Sequence, residues 1–357
     1  MLTGRRQFLG GLLAASLIPR PSWADAGSPS YLSAAARPDG SYVLCGISYD
    51  LEVLFQIPLP DRGHAAAAHP TRPEAVAFAR RPGTFAVVID CMTGDRLAAL
   101  AAPPGRHFYG HGVFSADGDW LFTTENDFEA GRGRVGVWYA RAGYARVTEF
   151  DSGGIGPHDI KRLPGTDTLV VANGGIDTHP GSGRAKLNVP TMRPNLAYIM
   201  NAEVQELASL HENLHKNSIR HLAISSSGRV AFGMQWQGAA PVSTLAGHHK
   251  RGEEMTLLES GTEAVKAMQG YIGSIAYSDD DRMIAVTSPR GGLVHLYDAK
   301  NGSLEEKIEL NDACGISSRE DGFIVTAGTG YIQCTNDLRE KRSVLLNLKW
   351  DNHLVPI

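Results

Sequence analysis

Four histidines, His64, His111, His158 and His221, each begin a block of similar design: HAAAAHPTRPEAVAFAR (64–80), HGVFSADGDWLFTTEND (111–127), HDIKRLPGTDTLVVANG (158–174) and HLAISSSGRVAFGMQWQ (221–237). A fifth, His353, lies in Trp350-Asp351-Asn352-His353-Leu354. Neutral imidazoles sent to one axis from a recurring position suit a borderline transition metal such as iron, copper or zinc. The same position suits a histidine bonded only to a neighbouring carbonyl or to channel water, and the sequence leaves both readings open. Glu125, Asp127, Asp159 and Asp177, with His179, are expected near by on the same face. Arg220, next to His221, could hold a carboxylate or a haem propionate, or bridge two structural units. Asn173-Gly174-Gly175 reads either as a positive-φ turn or as a backbone cradle for an anion, helped by Arg184, Lys186 and Arg193. No HExxH, GxSxG, phosphate-loop or calcium-loop motif occurs, so no catalytic residue is assigned.

The elements that must position these groups repeat along the chain. Three more blocks, 32–48, 273–289 and 314–330, share the pattern of a small or apolar strand, a turn rich in Asp, Gly, Ser or Pro, and a second apolar strand. Further strand-like pairs follow at 84–90 with 95–101, 134–139 with 144–150, 195–201 with 204–210 and 292–298 with 303–308. Four strands per unit at a spacing of roughly 41 to 63 residues predict an all-β fold, a single seven-bladed β-propeller of four-stranded blades over residues 27–357. A pair of β-sandwiches would tolerate the irregular spacing but leaves the repeat unexplained. The first gap, roughly 32 residues, is short for a blade. The ring must close on itself, and residues 350–357 are predicted to pair beside segment 31–57, with Trp350 to Leu354 starting an innermost strand. The connections 173–194 and 236–270, the second carrying His248 and His249, read as long loops of the kind that bind or cover ligands.

Composition narrows the partners. Thr3-Gly4-Arg5-Arg6-Gln7-Phe8-Leu9, an apolar run to Ile18 and Ala24-Asp25-Ala26 form a basic, an apolar and a small-residue region, the pattern of a twin-arginine export signal over residues 1–26. The run is too short to span a bilayer, and a periplasmic location is expected. Residues 1–26 hold three arginines and one aspartate, so residues 27–357 carry 31 basic and 37 acidic groups, a net charge of −6. That balance argues against nucleic acid or an anionic membrane as partner. Cys45, Cys91, Cys314 and Cys334 have no CxxC spacing, which argues against a thiolate metal site and favours buried small residues, with one disulfide left open.

Several irregular blocks in order carry a resemblance to a known family: residues 108–115 (FYGHGVFS), 156–159 (GPHD), 171–180 (VANGGIDTHP), 218–222 (SIRHL), 288–291 (SPRG) and 350–354 (WDNHL). The chain resembles the DUF1513 family of exported bacterial propellers, similar in fold to the quinoprotein amine dehydrogenase β-chain and YVTN-repeat propellers. The resemblance covers nearly all of the chain beyond the signal and implies a role in periplasmic iron handling beside imelysin-like and di-haem peroxidase-like proteins. It transfers no catalytic residue. The leading expectation is a propeller that binds a metal ion or metal complex through His64, His111, His158, His221 and His353, with Arg220, Asn173, Arg193 and the 173–194 loop shaping access. The alternatives are a metal-dependent hydrolase or oxidoreductase, and a metal-free scaffold that docks a protein.

Overall fold

The structure is a computed structural model that describes residues 21–80, 83–183, 185–336 and 342–357. Its strands form seven antiparallel sheets arranged as the blades of a propeller. Blade 2 contains Gly63–Ala68, Glu74–Ala79, Ala86–Asp90 and Arg96–Leu100, from the channel outward. Blades 3, 4, 5, 6 and 7 repeat this order and begin with the inner strands Arg106–Phe114, Pro157–Arg162, Asn217–Ile224, Ser274–Tyr277 and Ala313–Arg319. Burial explains the sequence pattern. Second strands such as Leu169–Asn173 are buried throughout and read as continuous apolar runs, whereas outer strands such as Glu203–Ser209 are mostly exposed and polar.

A blade is apolar on both faces and is stable only between neighbours. Seven buried apolar clusters form, one between each pair of adjacent blades, so the ring closes without a gap. Phe78, Phe108, Leu121 and Trp138 fill the interface of blades 2 and 3, and Leu196, Tyr198, Ile219 and Phe232 that of blades 4 and 5.

Closure uses both ends of the described chain. Tyr31–Ala36 pairs with Tyr42–Ile47 on one side and with the C-terminal strands Lys349–Trp350 and Val355–Pro356 on the other. The Asp351 amide donates to the Ala34 carbonyl at 2.9 Å, and Ser33 Oγ donates to the His353 carbonyl at 2.8 Å. The C-terminus is therefore the innermost strand of blade 1, as predicted. Tyr31–Ala36 becomes the second strand of that blade rather than the channel strand that block 32–48 implied. This one-strand offset explains both the short first gap and the missing histidine in that block.

One other expectation changes. The 236–270 segment is not a bare loop: it holds the outer strands Ala246–His249 and Thr256–Leu257 of blade 5 and a short helix, Thr262–Ala267. His249 is pinned there by the Tyr198 hydroxyl at 2.7 Å and the Glu253 carbonyl at 2.9 Å. All four cysteines are buried and free, and burial pushes the Cys45 and Cys91 thiols up to about 12. Of the export signal, the Arg5-Arg6 pair and the apolar run lie outside the described residues. Trp23, inside the segment expected to be removed, packs on the interface of blades 1 and 2 and donates its indole N–H to the His69 carbonyl at 2.8 Å. Among the described residues no helix is long and apolar enough to cross a membrane.

Candidate metal centre

The inner strands do not pair regularly where their histidines occur. Register shifts fall between Gly63 and Ala66, Phe108 and Gly112, Pro157 and Asp159, and Ile219 and His221. A bulge re-aims the side chain beside it, and in blades 2 to 5 the side chain so placed is a histidine. His353 lies in the corresponding irregular stretch between Trp350 and Val355. Five consecutive blades, 1 to 5, thus send an imidazole to the channel. Gly110 makes room for this: its φ is +99°, and a Cβ there would stand 2.7 Å from His64 Cδ2.

The five rings meet. His353 lies 4.5 Å from His64 and 4.6 Å from His111 between ring centroids, His111 lies 4.7 Å from His158, and His221 is 5.0 Å from His158 and 5.1 Å from His353. All five are buried, between 2% and 9% exposed. One ligating nitrogen from each of His64, His111 and His158 falls within 4.8 Å of the others, a set that could hold a metal ion.

What stands behind each ring fixes the nitrogen in front. His158 Nδ1 donates to the Arg220 carbonyl at 3.0 Å, and a carbonyl only accepts, so Nδ1 carries the proton. His111 Nδ1 faces Asp159 Oδ1 at 3.2 Å. Asp159 also accepts the Leu222 and Ile160 amides at 2.9 and 2.8 Å. His64 Nδ1 faces Asp351 Oδ1 at 3.5 Å. Burial opposes charge on both carboxylates, but Lys161, His111 and the Leu222 amide hold Asp159 well below the usual range, and His64, Arg80 and Arg62 do the same for Asp351. Both are therefore acceptors, and His64 and His111 are protonated on Nδ1 like His158. Their unprotonated Nε2 atoms then point at one another, 3.3 Å apart for His64 and His111. Two lone pairs at that distance repel unless a cation lies between them. A tetrahedral ion with nitrogen ligands at about 2.0–2.1 Å spaces those ligands about 3.3–3.4 Å apart.

Burial favours the neutral form of four of these rings. It drives the His64 imidazole down to about 4 and, with the neighbouring imidazoles, His158, His221 and His353 well below their ordinary value. Neither ring nitrogen of His221, nor Nε2 of His353, has a hydrogen-bond partner among the described residues.

The channel opens on two faces. One mouth, a cavity of about 240 Å³, is lined by His64, His158, His221, Arg80, Lys186 and Arg220, together with Tyr109, Ile176, Thr178, Gln235, Tyr271 and Asn352. The 173–194 loop contributes Ile176, Thr178 and Lys186 and is held down by Asn188, which donates to the Gly175 carbonyl at 2.9 Å. The opposite mouth is lined by Asp159, Lys161, His221, His353 and residues of blades 6 and 7.

Other expected groups lie elsewhere. Asn173 is spent inside blade 4: its amide donates to the Ser152 carbonyl at 2.8 Å and to Asn195 Oδ1 at 3.0 Å, and its oxygen accepts from Ser152 Oγ at 2.8 Å. Arg193 is exposed and does not line the cavity. Arg184 lies outside the described residues. Glu125 binds Arg146 at 2.6 and 2.9 Å within blade 3, and Asp127 binds Arg106 at 2.6 Å. Asp177 is not among the residues of the mouth, and His179 is exposed on the loop against Glu129. Arg80, Tyr109, Gln235, Tyr271 and Asn352 were not expected. Asp351, at hand in the WDNHL block, takes its role from another blade: it orients His64 while being held by Arg62 at 2.8 Å and Arg80 at 2.6 Å.

Comparison with known proteins agrees with this architecture. Hydrazine synthase of Kuenenia stuttgartiensis is similar, with a TM-score of 0.59 at 13% identity over 89% of this chain and 95% of that one. With 953 solved chains matching, such likeness identifies the fold alone. No curated protein matches the sequence. The family described as Protein of unknown function (DUF1513) matches residues 57–357, nearly the whole propeller, and the chain belongs to that family.

Proposed function

We propose that this propeller captures a transition-metal ion in its channel through His64, His111 and His158, with His221 and His353 completing or exchanging in the ligand set. The observation that supports it is the convergence of Nε2 lone pairs whose Nδ1 protons are held by Asp351, Asp159 and the Arg220 carbonyl. A structural histidine needs no such orientation toward another lone pair. Neutral imidazoles without thiolate or carboxylate in the front row select borderline ions, iron(II), copper(II), zinc or nickel, over calcium and magnesium. Iron acquisition in the periplasm, beside imelysin-like and di-haem peroxidase-like proteins, is the physiological setting we infer. The support is the export pattern at the N-terminus and the donor set; family membership assigns no reaction.

Cobalt(II) reports such ligation directly. Added to chelator-treated protein, it should give intense visible ligand-field absorption at one equivalent and none in His64→Gln/His111→Gln. Only the weak spectrum of hexaaqua cobalt in the folded wild type would contradict the metal reading.

A further inference from the structure

The mouth over His64, His158 and His221 has a charge of its own. Arg80, Lys186 and Arg220 line it, and among the described residues no Asp or Glu does, although the chain as a whole is net negative at −4. Asp351 lies behind Arg80 and is shared with Arg62, so one carboxylate faces two guanidinium groups and leaves a charge over. Lys186 bonds the neutral Gln237 side-chain oxygen. Burial and the charges of Arg220 and Arg290 lower its pKa, and no acid counters them. Arg290 sits at the edge, its guanidinium 4.4 Å over the Tyr271 ring. The uncharged lining is mostly polar, with the Tyr109 and Tyr271 hydroxyls, Thr178 and the Gln235 and Asn352 amides; Asn352 Nδ2 donates to the Tyr271 hydroxyl at 3.2 Å and Gln235 Nε2 to the Ile272 carbonyl at 3.2 Å. His221, 2% exposed and without a hydrogen-bond partner at either ring nitrogen among the described residues, faces the same cavity.

From this lining we infer that the mouth binds a small organic polycarboxylate, so that the metal enters the channel as an anionic carboxylate chelate. Arg80 comes from the edge of blade 2 and Arg220 from blade 5, three blades apart in a ring of seven, with Lys186 on the 173–194 loop. A compact oxyanion reaches one side of such an opening. A ligand carrying two or three carboxylates spans it, and a cavity of about 240 Å³ holds one. Carboxylates paired with guanidinium and ammonium groups form the stronger class of hydrogen bond. Neutral histidines leave the bound ion's positive charge uncompensated, and the chelating anion supplies the balance. The opposite mouth mixes Asp159, Asp279 and Asp281 with Lys161 and Arg162, so the two faces differ and the cationic one is the side of arrival. The fate of the chelate's ion rests on the metal reading above; the anion site does not.

Calorimetric titration of chelator-treated full-length protein with citrate tests this. Citrate should bind the wild type, and Lys186→Gln and Lys186→Gln/Arg220→Gln should each weaken it, the double variant by about tenfold or more. His111→Ala/His353→Ala, at two ring histidines that do not line this mouth, should still bind citrate but retain no iron after incubation with ferric citrate and desalting. No heat with millimolar citrate, equal affinity in the folded double variant, or inorganic phosphate binding as tightly as citrate would overturn the inference. Citrate binding without iron retention by the wild type would instead overturn the metal reading and leave the anion site standing.

Discussion

The group behind each imidazole decides what its front nitrogen can do. Asp159 accepts from His111, and in Asp159→Asn the side-chain NH₂ can turn toward Nδ1, favouring the other tautomer and placing a proton on Nε2. That change should weaken metal binding about 10–100-fold, measured by competition with a chromophoric chelator; an unchanged Kd would show that Asp159 does not set the tautomer. The buried neutral rings also set a pH dependence. His64 titrates near 4 when folded, against 6.5 ordinarily, so as pH falls the unfolded chain takes up the proton first and the folded state is penalised. The loss begins near pH 6.5, is complete near 4, and is worth on the order of 3 kcal/mol for His64. The melting temperature of chelator-treated protein should fall over that window, and fall less in His64→Gln; parallel curves would contradict the assignment. The histidines were legible because each occupies the same place in a repeat. Their partners were not, since Asp159 and the Arg220 carbonyl serve the histidine of the preceding blade, and Asp351 reaches His64 from the far end of the chain. Such a pairing belongs to the ring and is invisible in a linear pattern.

At the scale of elements, the C-terminal strand carries two duties, closing the ring and placing His353 beside His64. Trp350, 3% exposed, packs between blades 7 and 1, so Trp350→Ala should cost about 3–5 kcal/mol, and deletion of 350–357 should lower the melting temperature sharply. An unchanged melting curve after the deletion would refute this closure. Hairpins with an Asp-Gly or Ser-Gly turn and two apolar runs, such as 111–127 and 221–237, were readable from turn chemistry and alternation. Ala246–His249 was not, because Ala-Gly-His-His has neither β-branched nor alternating residues and forms a strand only through its pairing with Val230–Gly233. The offset of blade 1 escaped for a related reason. Leu32 to Ser48 is a sound hairpin in itself, and only the distant strands Lys349–Trp350 and Val355–Pro356 move it one place outward.

For the whole molecule, closure creates the site: no single blade holds two of the five histidines, so the cluster exists only when the ring does. Binding to the folded state alone should therefore stabilise the entire ring, by about 4 kcal/mol at a ligand concentration a thousandfold above Kd, seen as one cooperative rise in melting temperature on adding metal. The overall negative charge sits apart from the cationic mouth, and that separation, like the cluster, is a property of the assembled ring rather than of any block. The most direct measurement is elemental analysis by mass spectrometry of the protein purified without chelator from its native host, beside a folded His111→Ala/His158→Ala variant. The account predicts near-stoichiometric iron, copper or zinc in the wild type and its loss from the variant. The same metal content in both, or none in either, would contradict it and leave the five histidines as fittings of the ring.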